Sequence, residues 1–447
     1  MNLRDWNSEG HWFTAYPGLN HWTEDFTHSE YVEAFKQSLT EKNGFHLYIH
    51  IPFCKKLCHY CICNIVITND REKIQFFLDH LLKEIDNLKR FNPDIREIHL
   101  GGGTPSHLDR NQFTQLCDKL DSLSPLKDMS EVAMEIDPRT VNQEDLRHYA
   151  SHGVNRISFG IQDFNIDVQE AINRVQPPEM IEDLLKVRHL FRGVNFDLLY
   201  GLPKQSMETF NDTLDKTFKM RPERVTLLKY CHAPEVRKHM KLINVTDLPV
   251  NLEEMFRHAV KRFKEEGYVW VGLDHFALPH DSLAVAHKNK TLVRTFNGFK
   301  PGPTKNMIGL GPTSSYALYD VYAQAHYDLN QYYDSVNKGE FPILRGVKLT
   351  SDDISRRHHI FNILCNQEVF LPHGGYAEQR IEFTKIKDIV EPTLNNYFGT
   401  LFEIKDQFLL RNLCSLFDAR DVKPEHLKIA QKTITRRPLE SLTHQSA

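Results

Sequence analysis

Cysteine is scarce in this chain and unevenly spread. The 447 residues hold eight, of which Cys54, Cys58, Cys61 and Cys63 crowd together while Cys117, Cys231, Cys365 and Cys414 stand alone. A disulfide framework spaces its cysteines through the chain, so this pattern argues for metal binding and against a stapled secreted scaffold. Long apolar runs are missing too. No window approaches the roughly 18 to 20 apolar residues of a membrane helix, and Met1-Asn2-Leu3-Arg4-Asp5-Trp6 lacks the apolar stretch of an export signal. A cytoplasmic chain with no membrane span is expected. Basic excess is also lacking: Lys+Arg 55 against Asp+Glu 59 gives a net charge of −4, so nucleic acid is not an expected partner. There is no low-complexity segment and no internal repeat.

What is present is an alternation. From about residue 46, short apolar runs alternate with helical patterns, which marks βα units around a parallel sheet. The expected strands are His46 to Ile51, Arg96 to Leu100, Val132 to Ile136, Arg156 to Ile161, Val194 to Tyr200 and Arg224 to Tyr230, with a seventh at Tyr268 to Leu273. Helical periodicity covers Ile74 to Lys89, Gln112 to Leu123, Glu144 to His152 and Met207 to Met220. Six units predict an open partial (βα)6 barrel. Residues 1–45, rich in aromatic and polar residues without a period, read as an N-terminal arm packed on the body. The barrel is assigned to 46–300. After the Gly/Pro-rich stretch Pro301-Gly302-Pro303 to Gly311-Pro312, helical patterns at Ser351 to Asn366 and Thr384 to Phe398 predict a smaller, mainly helical C-terminal domain, 301–447.

The cysteines follow the first strand in Ile51-Pro52-Phe53-Cys54-Lys55-Lys56-Leu57-Cys58-His59-Tyr60-Cys61-Ile62-Cys63. Pro52 has no amide to offer a ladder, so the strand stops and the cysteines fall in a loop at its C-terminal edge, where α/β folds place their chemistry. Three thiolates in the spacing C-x3-C-x2-C suit three irons of a [4Fe-4S] cluster. The fourth iron then needs an outside ligand, which the amino and carboxylate groups of S-adenosylmethionine (SAM) can supply. A tetrahedral zinc knot is the alternative for four cysteines so close together.

With this loop, further blocks occur in order: Tyr48-Ile49-His50-Ile51-Pro52-Phe53-Cys54, Gly101-Gly102-Gly103-Thr104-Pro105, Glu135-Ile136-Asp137-Pro138-Arg139, Gly160-Ile161-Gln162-Asp163-Phe164-Asn165, Asp197-Leu198-Leu199-Tyr200-Gly201-Leu202-Pro203 and Asp274-His275-Phe276-Ala277. Through them the chain resembles the radical SAM superfamily, and within it the oxygen-independent coproporphyrinogen III oxidase (dehydrogenase) family of haem biosynthesis. The resemblance implies Cys54, Cys58 and Cys61 as cluster ligands. A first SAM would be held by Gly102, Gly103 and Thr104, by Glu135 at its ribose, and beside Tyr48 and Tyr60. Gln162, Arg174 and Asp197 match positions that hold a second SAM, with Cys231 and Ser315 nearby; a barrel salt bridge between Arg174 and Asp197 is the competing reading.

The implied reaction is anaerobic conversion of two propionates of coproporphyrinogen III to vinyl groups, giving protoporphyrinogen IX. Expected partners are this porphyrinogen substrate and a low-potential electron donor, with the chain a monomer. Arg345 and the Lys300 to Lys305 loop are candidates for the substrate's carboxylates. The sequence departs from the family where Trp12-Phe13 replaces an Arg-Tyr pair, Ile62 replaces a small glycine, and Cys231 and Ser315 replace apolar residues. Those departures keep two rivals open: a methyltransferase or cyclopropanase on the same scaffold, and a haem chaperone. Cys63 and the N-terminal arm weigh against the chaperone.

Overall fold

The computed structural model describes residues 13–372, 390–395, 399–415 and 417–420. The expected runs become Phe45–Ile51 (β1), Ile95–Gly102 (β2), Glu131–Ile136 (β3), Arg156–Gln162 (β4), Gly193–Tyr200 (β5) and Arg224–Lys229 (β6), adjacent in sequence order and all parallel. Parallel neighbours need a crossover, and helices provide it. In Arg71–Lys89 the Asp70 carboxylate caps the first turn through the amides of Glu72 and Lys73. Ile74, Phe77, Leu78, Leu81, Ile85 and Leu88 recur at helical spacing and are buried. Each such side chain contributes about 1.5–3 kcal/mol by leaving water, so Leu81→Ala would cost about 2–5 kcal/mol.

The expected seventh strand, Val269–Gly272 (β7), is an edge strand antiparallel to His275–Ala277 (β8), which pairs antiparallel with β6. A seventh parallel strand comes from elsewhere. Asn306–Leu310 (β9) lies parallel to β1 inside the stretch read as a Gly/Pro-rich loop, and all of it is buried. Ser315–Ala317 (β10), Val321–Ala325 (β11) and Ile343–Lys348 (β12) continue antiparallel from there. The sheet order is β12-β11-β10-β9-β1-β2-β3-β4-β5-β6-β8-β7, open at both ends. This is an open partial barrel.

Two expectations about the later chain change. The sheet runs on past residue 300, where the sequence suggested a boundary, because the apolar run Met307-Ile308-Gly309-Leu310 pairs with β1. Helix Ser351–Asn366 is as expected, but it leads into an antiparallel sheet of Glu368–Pro372, Val390–Asn395 and Gly399–Ile404. The helix expected over Thr384 to Phe398 is therefore a strand at Val390–Asn395, and the rest of that span lies outside the described residues. Trp12 also lies outside them. Phe13 and Tyr16 pack with Val271, Ile360 and Leu410, while Trp22 stacks on Tyr322 with centroids 5.5 Å apart.

Along β1 to β6 one alternate set of side chains is apolar and packs under the helices. The other set is polar. At the start of the strands Lys300 Nζ donates to Glu97 Oε2 and His46 Nδ1, each at 2.9 Å. Beside it Arg156 and Arg224 bridge Glu131 and Asp281 at 2.7–3.2 Å. This buried ionic layer plugs one end of the barrel, and the C-terminal ends of the strands are left for chemistry.

Candidate active site

Beyond β1, Phe53–Cys54 pairs with Val66–Ile67 and closes the cysteine loop at its base. The loop backbone is tied at several points. The Asn173 side chain donates to the Leu57 carbonyl at 2.8 Å and the His59 amide to the Ile172 carbonyl at 3.0 Å. His239 Nε2 donates to the Cys61 carbonyl and Arg237 Nε to the Ile62 carbonyl, both at 2.8 Å.

Each of the three sulfurs has a donor. Thr104 Oγ1 donates to Cys54 Sγ at 3.2 Å, and Arg139 and Arg174 approach Cys58 Sγ at 3.4 and 3.6 Å. The Cys61 thiol is brought down to about 7, chiefly by its hydrogen bond with Cys63. Burial pushes Cys54 the other way, to about 12, so a cation is needed to keep that sulfur ionised. A cluster that takes one sulfur per iron fits this arrangement.

The glycine run is explained by what crosses it. A β-carbon on Gly101 would lie 2.7 Å from Glu135 Oε1, one on Gly102 2.7 Å from the His50 ring, and one on Gly103 2.8 Å from the Pro52 backbone. Gly102 also has φ +107, which side chains resist. Glu135 accepts from His99 Nε2 at 2.9 Å and from the Gly102 amide at 3.3 Å, and its side chain keeps 40% exposure at the mouth. Tyr48 stacks on His99 and donates to His50 Nδ1 at 3.2 Å, while His50 Nε2 donates to the Asn64 carbonyl at 3.1 Å. Burial lowers the His50 pKa, consistent with a neutral ring. Tyr60 packs against Val168, Ile172, Leu199 and Leu202, on the side where Arg174 and Cys58 lie.

Of the second group, Gln162 ends β4 at a bulge with φ +67, and Gly160 leaves room for it and for Arg174. Arg174 does not pair with Asp197. Its guanidinium donates to the Gly160 carbonyl at 2.7 and 3.1 Å and faces Asp137 at 3.4 Å. Burial alone would raise the Asp137 pKa, but Arg174 and Arg139 outweigh it and hold it low. Asp197 is bonded by Ser158 at 2.6 Å and Asn195 at 2.8 Å, and burial raises its pKa. Cys231 is exposed just after β6, and Ser315 sits on β10 across the sheet from β5. Among the described residues no hydrogen bond joins either to Gln162, Arg174 or Asp197.

Two carboxylate-binding candidates are spoken for. Lys300 is in the ionic plug, and Arg345 is buried with Nε and Nη2 donating to Gln324 Oε1 at 2.9 and 2.7 Å. Residues the sequence reading missed are His99, Asp137, Arg139 and Arg237. Asp137 and Arg139 follow Glu135 by two and four residues, and opposite charges just past the end of a strand, where the chemistry sits, were the available signal.

Fold and loop together define a radical SAM enzyme, and residues 48–217 match the Radical SAM superfamily. The chain is 33% identical to the oxygen-independent coproporphyrinogen III oxidase of Pseudomonas aeruginosa, covering 93% of this chain and 94% of that one. It is 35% identical to the Synechocystis enzyme of the same name over 91% of each. The solved coproporphyrinogen III oxidase of Escherichia coli, a radical SAM enzyme, superposes with a TM-score of 0.84 at 32% identity, covering 91% of this chain and 97% of that one. The chain belongs to the oxygen-independent coproporphyrinogen III oxidase family. Its cofactors are accordingly a [4Fe-4S] cluster and SAM.

Proposed function

We propose that this enzyme oxidatively decarboxylates two propionates of coproporphyrinogen III to vinyl groups, giving protoporphyrinogen IX. The observation that carries this is likeness to the Pseudomonas aeruginosa enzyme across nine-tenths of both chains, with the three-cysteine loop intact. Cys54, Cys58 and Cys61 hold the cluster, and Cys63 stays free beside it. Bound there, cluster and SAM would supply the radical chemistry that takes a hydrogen atom from a propionate, which then loses CO2 and passes one electron to an external acceptor.

The chain's own residues do the rest. Thr104, Arg139 and Arg174 stabilise negative charge on the sulfurs. Glu135 offers a half-open carboxylate to a ribose, oriented by His99, and Gly102 and Gly103 let backbone and ligand approach. Tyr48 and Tyr60 wall the site on two sides. Gln162, Arg174 and Asp197 are assigned to a second SAM, with Arg174 already engaged by Asp137 and Gly160. Cys231 and Ser315 are placed at its margin. The working unit is a monomer in the cytoplasm that draws single electrons from a low-potential donor. We divide the chain after Leu349, where the last strand of the barrel sheet has ended.

The test is anaerobic reaction of the reconstituted enzyme with SAM, reductant and coproporphyrinogen III. CO2 and the divinyl product in step with methionine and deoxyadenosine are expected. SAM cleavage without decarboxylation, from protein with a full cluster, would overturn the assignment.

A further inference from the structure

We propose that the outer face of the cysteine loop, together with residues 229–250, is the docking surface for an acidic electron-carrier protein that reduces the cluster. The proposal rests on the function above only in requiring an outside reductant. The two segments form one surface, because Arg237 and His239 grip the carbonyls of Ile62 and Cys61. The sulfurs of Cys54 and Cys58 are engaged by barrel groups, so the loop meets the barrel through its sulfurs and this segment through its backbone.

Charge on this surface runs against the rest of the molecule. Residues 54–69 and 229–250 carry Lys55, Lys56, Lys229, Arg237, Lys238 and Lys241 against only Glu235 and Asp247, in a chain whose net charge is −4. Lys55, Lys56, Lys238 and Lys241 are exposed. Among them are large apolar side chains left in water: Ile62 at 47%, Leu242 at 63%, Val245 at 57% and Val250 at 98% exposure. Leu242 and Val245 also line an open hollow with His232, Pro234 and Lys241. An apolar centre with a charged rim is the anatomy of a transient protein interface, and its positive sign selects an acidic partner. Ile62, between Cys61 and Cys63, brings the partner's redox group up to the loop itself. One electron leaves the carrier's reduced flavin, taking it from hydroquinone to semiquinone, and reduces the cluster from its 2+ to its 1+ state.

The probe is purified flavodoxin, an acidic flavoprotein, with dithionite as the small reductant. Binding is measured first on the cluster-free chain by fluorescence anisotropy of labelled flavodoxin. Lys238→Glu/Lys241→Glu should weaken it about tenfold or more at low salt, with the difference shrinking at high salt. Leu242→Ser should weaken it at both. With the cluster in place, EPR should show slower reduction by flavodoxin in these variants and unchanged reduction by dithionite. Equal affinity and equal reduction rates in all variants would overturn the proposal. So would normal flavodoxin reduction with weakened coproporphyrinogen III binding, which would give the face to substrate. Normal flavodoxin docking in an enzyme that fails to decarboxylate would instead remove the function reading and leave the docking surface standing.

Discussion

Replacing Arg174 by methionine tests how the buried charge beside the cysteine loop is balanced. The residue is 6% exposed and makes two hydrogen bonds to the Gly160 carbonyl and an ion pair with Asp137. Removing one partner of a buried pair ordinarily costs about 3–5 kcal/mol, because the other charge is stranded. Here nothing is stranded. Gly160 still accepts from Gln176 Nε2 at 3.0 Å, and Asp137 keeps Arg139 at 2.7 and 2.9 Å. The loss is then that of the bonds themselves, and methionine retains part of the apolar stem packing. We expect the cluster-free Arg174→Met chain to be about 2–3 kcal/mol less stable in urea unfolding followed by circular dichroism. Arg139→Met, on the more open partner of Asp137, should cost less, and the double variant should cost more than the sum. That excess appears because Asp137 then has no cation; burial alone raises its pKa, so the excess should fade as pH falls and the stranded carboxylate takes up a proton. A loss above about 5 kcal/mol for Arg174→Met alone, or strict additivity in the double variant, would refute this account.

The cluster assignment predicts that Cys58→Ala, reconstituted anaerobically, loses iron and sulfide by chemical analysis, whereas Cys63→Ala keeps about four of each. Gly102→Val places branched carbon against the His50 ring in a conformation with φ +107; it should raise the SAM concentration needed for cleavage while leaving iron content intact. Glu135→Ala should do the same by equilibrium binding of SAM, and unchanged affinity in both would move the cofactor elsewhere. Glu84 gives a pH signature away from the site. Burial raises its pKa to about 7 while Tyr332 and the Gly311 amide hold it. The folded state therefore binds the proton more tightly than the unfolded chain, so its contribution is full below about pH 4.3 and is lost as pH rises to 7. Glu84→Gln should remove that decline, worth roughly 3 kcal/mol at most, in urea melts from pH 5 to 8; an unchanged slope would refute it.

The cysteine loop and six strands were legible because each is a local pattern: a spacing in one case, a strand-length stretch rich in apolar residues between turn residues in the other. What was not legible depends on register. β9 was hidden since Pro301 to Pro303 and Gly311-Pro312 flank a run of only five strand residues, Asn306–Leu310, whose pairing with β1 spans most of the barrel sequence. The same holds for Arg174, whose separation from Asp197 and union with Asp137 are consequences of which strand ends face each other. Lys300 and Arg345 looked like free cations because nothing in their own neighbourhood of the chain shows Glu97 or Gln324 arriving.

One signal lay in plain view across the strands. Parallel strands covered on both faces normally read as unbroken apolar runs. Here they alternate: His46, Tyr48 and His50 on β1, Glu97 and His99 on β2, Glu131 and Glu135 on β3, Arg156 and Ser158 on β4, Asn195 and Asp197 on β5, Arg224 and Thr226 on β6. So many polar groups on one side mean that the concave face is not a packed hydrocarbon core. At the start of the strands they cancel in ion pairs, which rigidifies that end. Toward the C-terminal ends Asp137 is held by Arg139 and Arg174, and Glu135, met by His99, is left half-exposed at the mouth beside the cysteine loop. The barrel thus keeps its uncompensated polar capacity where a charged, hydroxylated cofactor has to be held, and spends the rest on holding its shape.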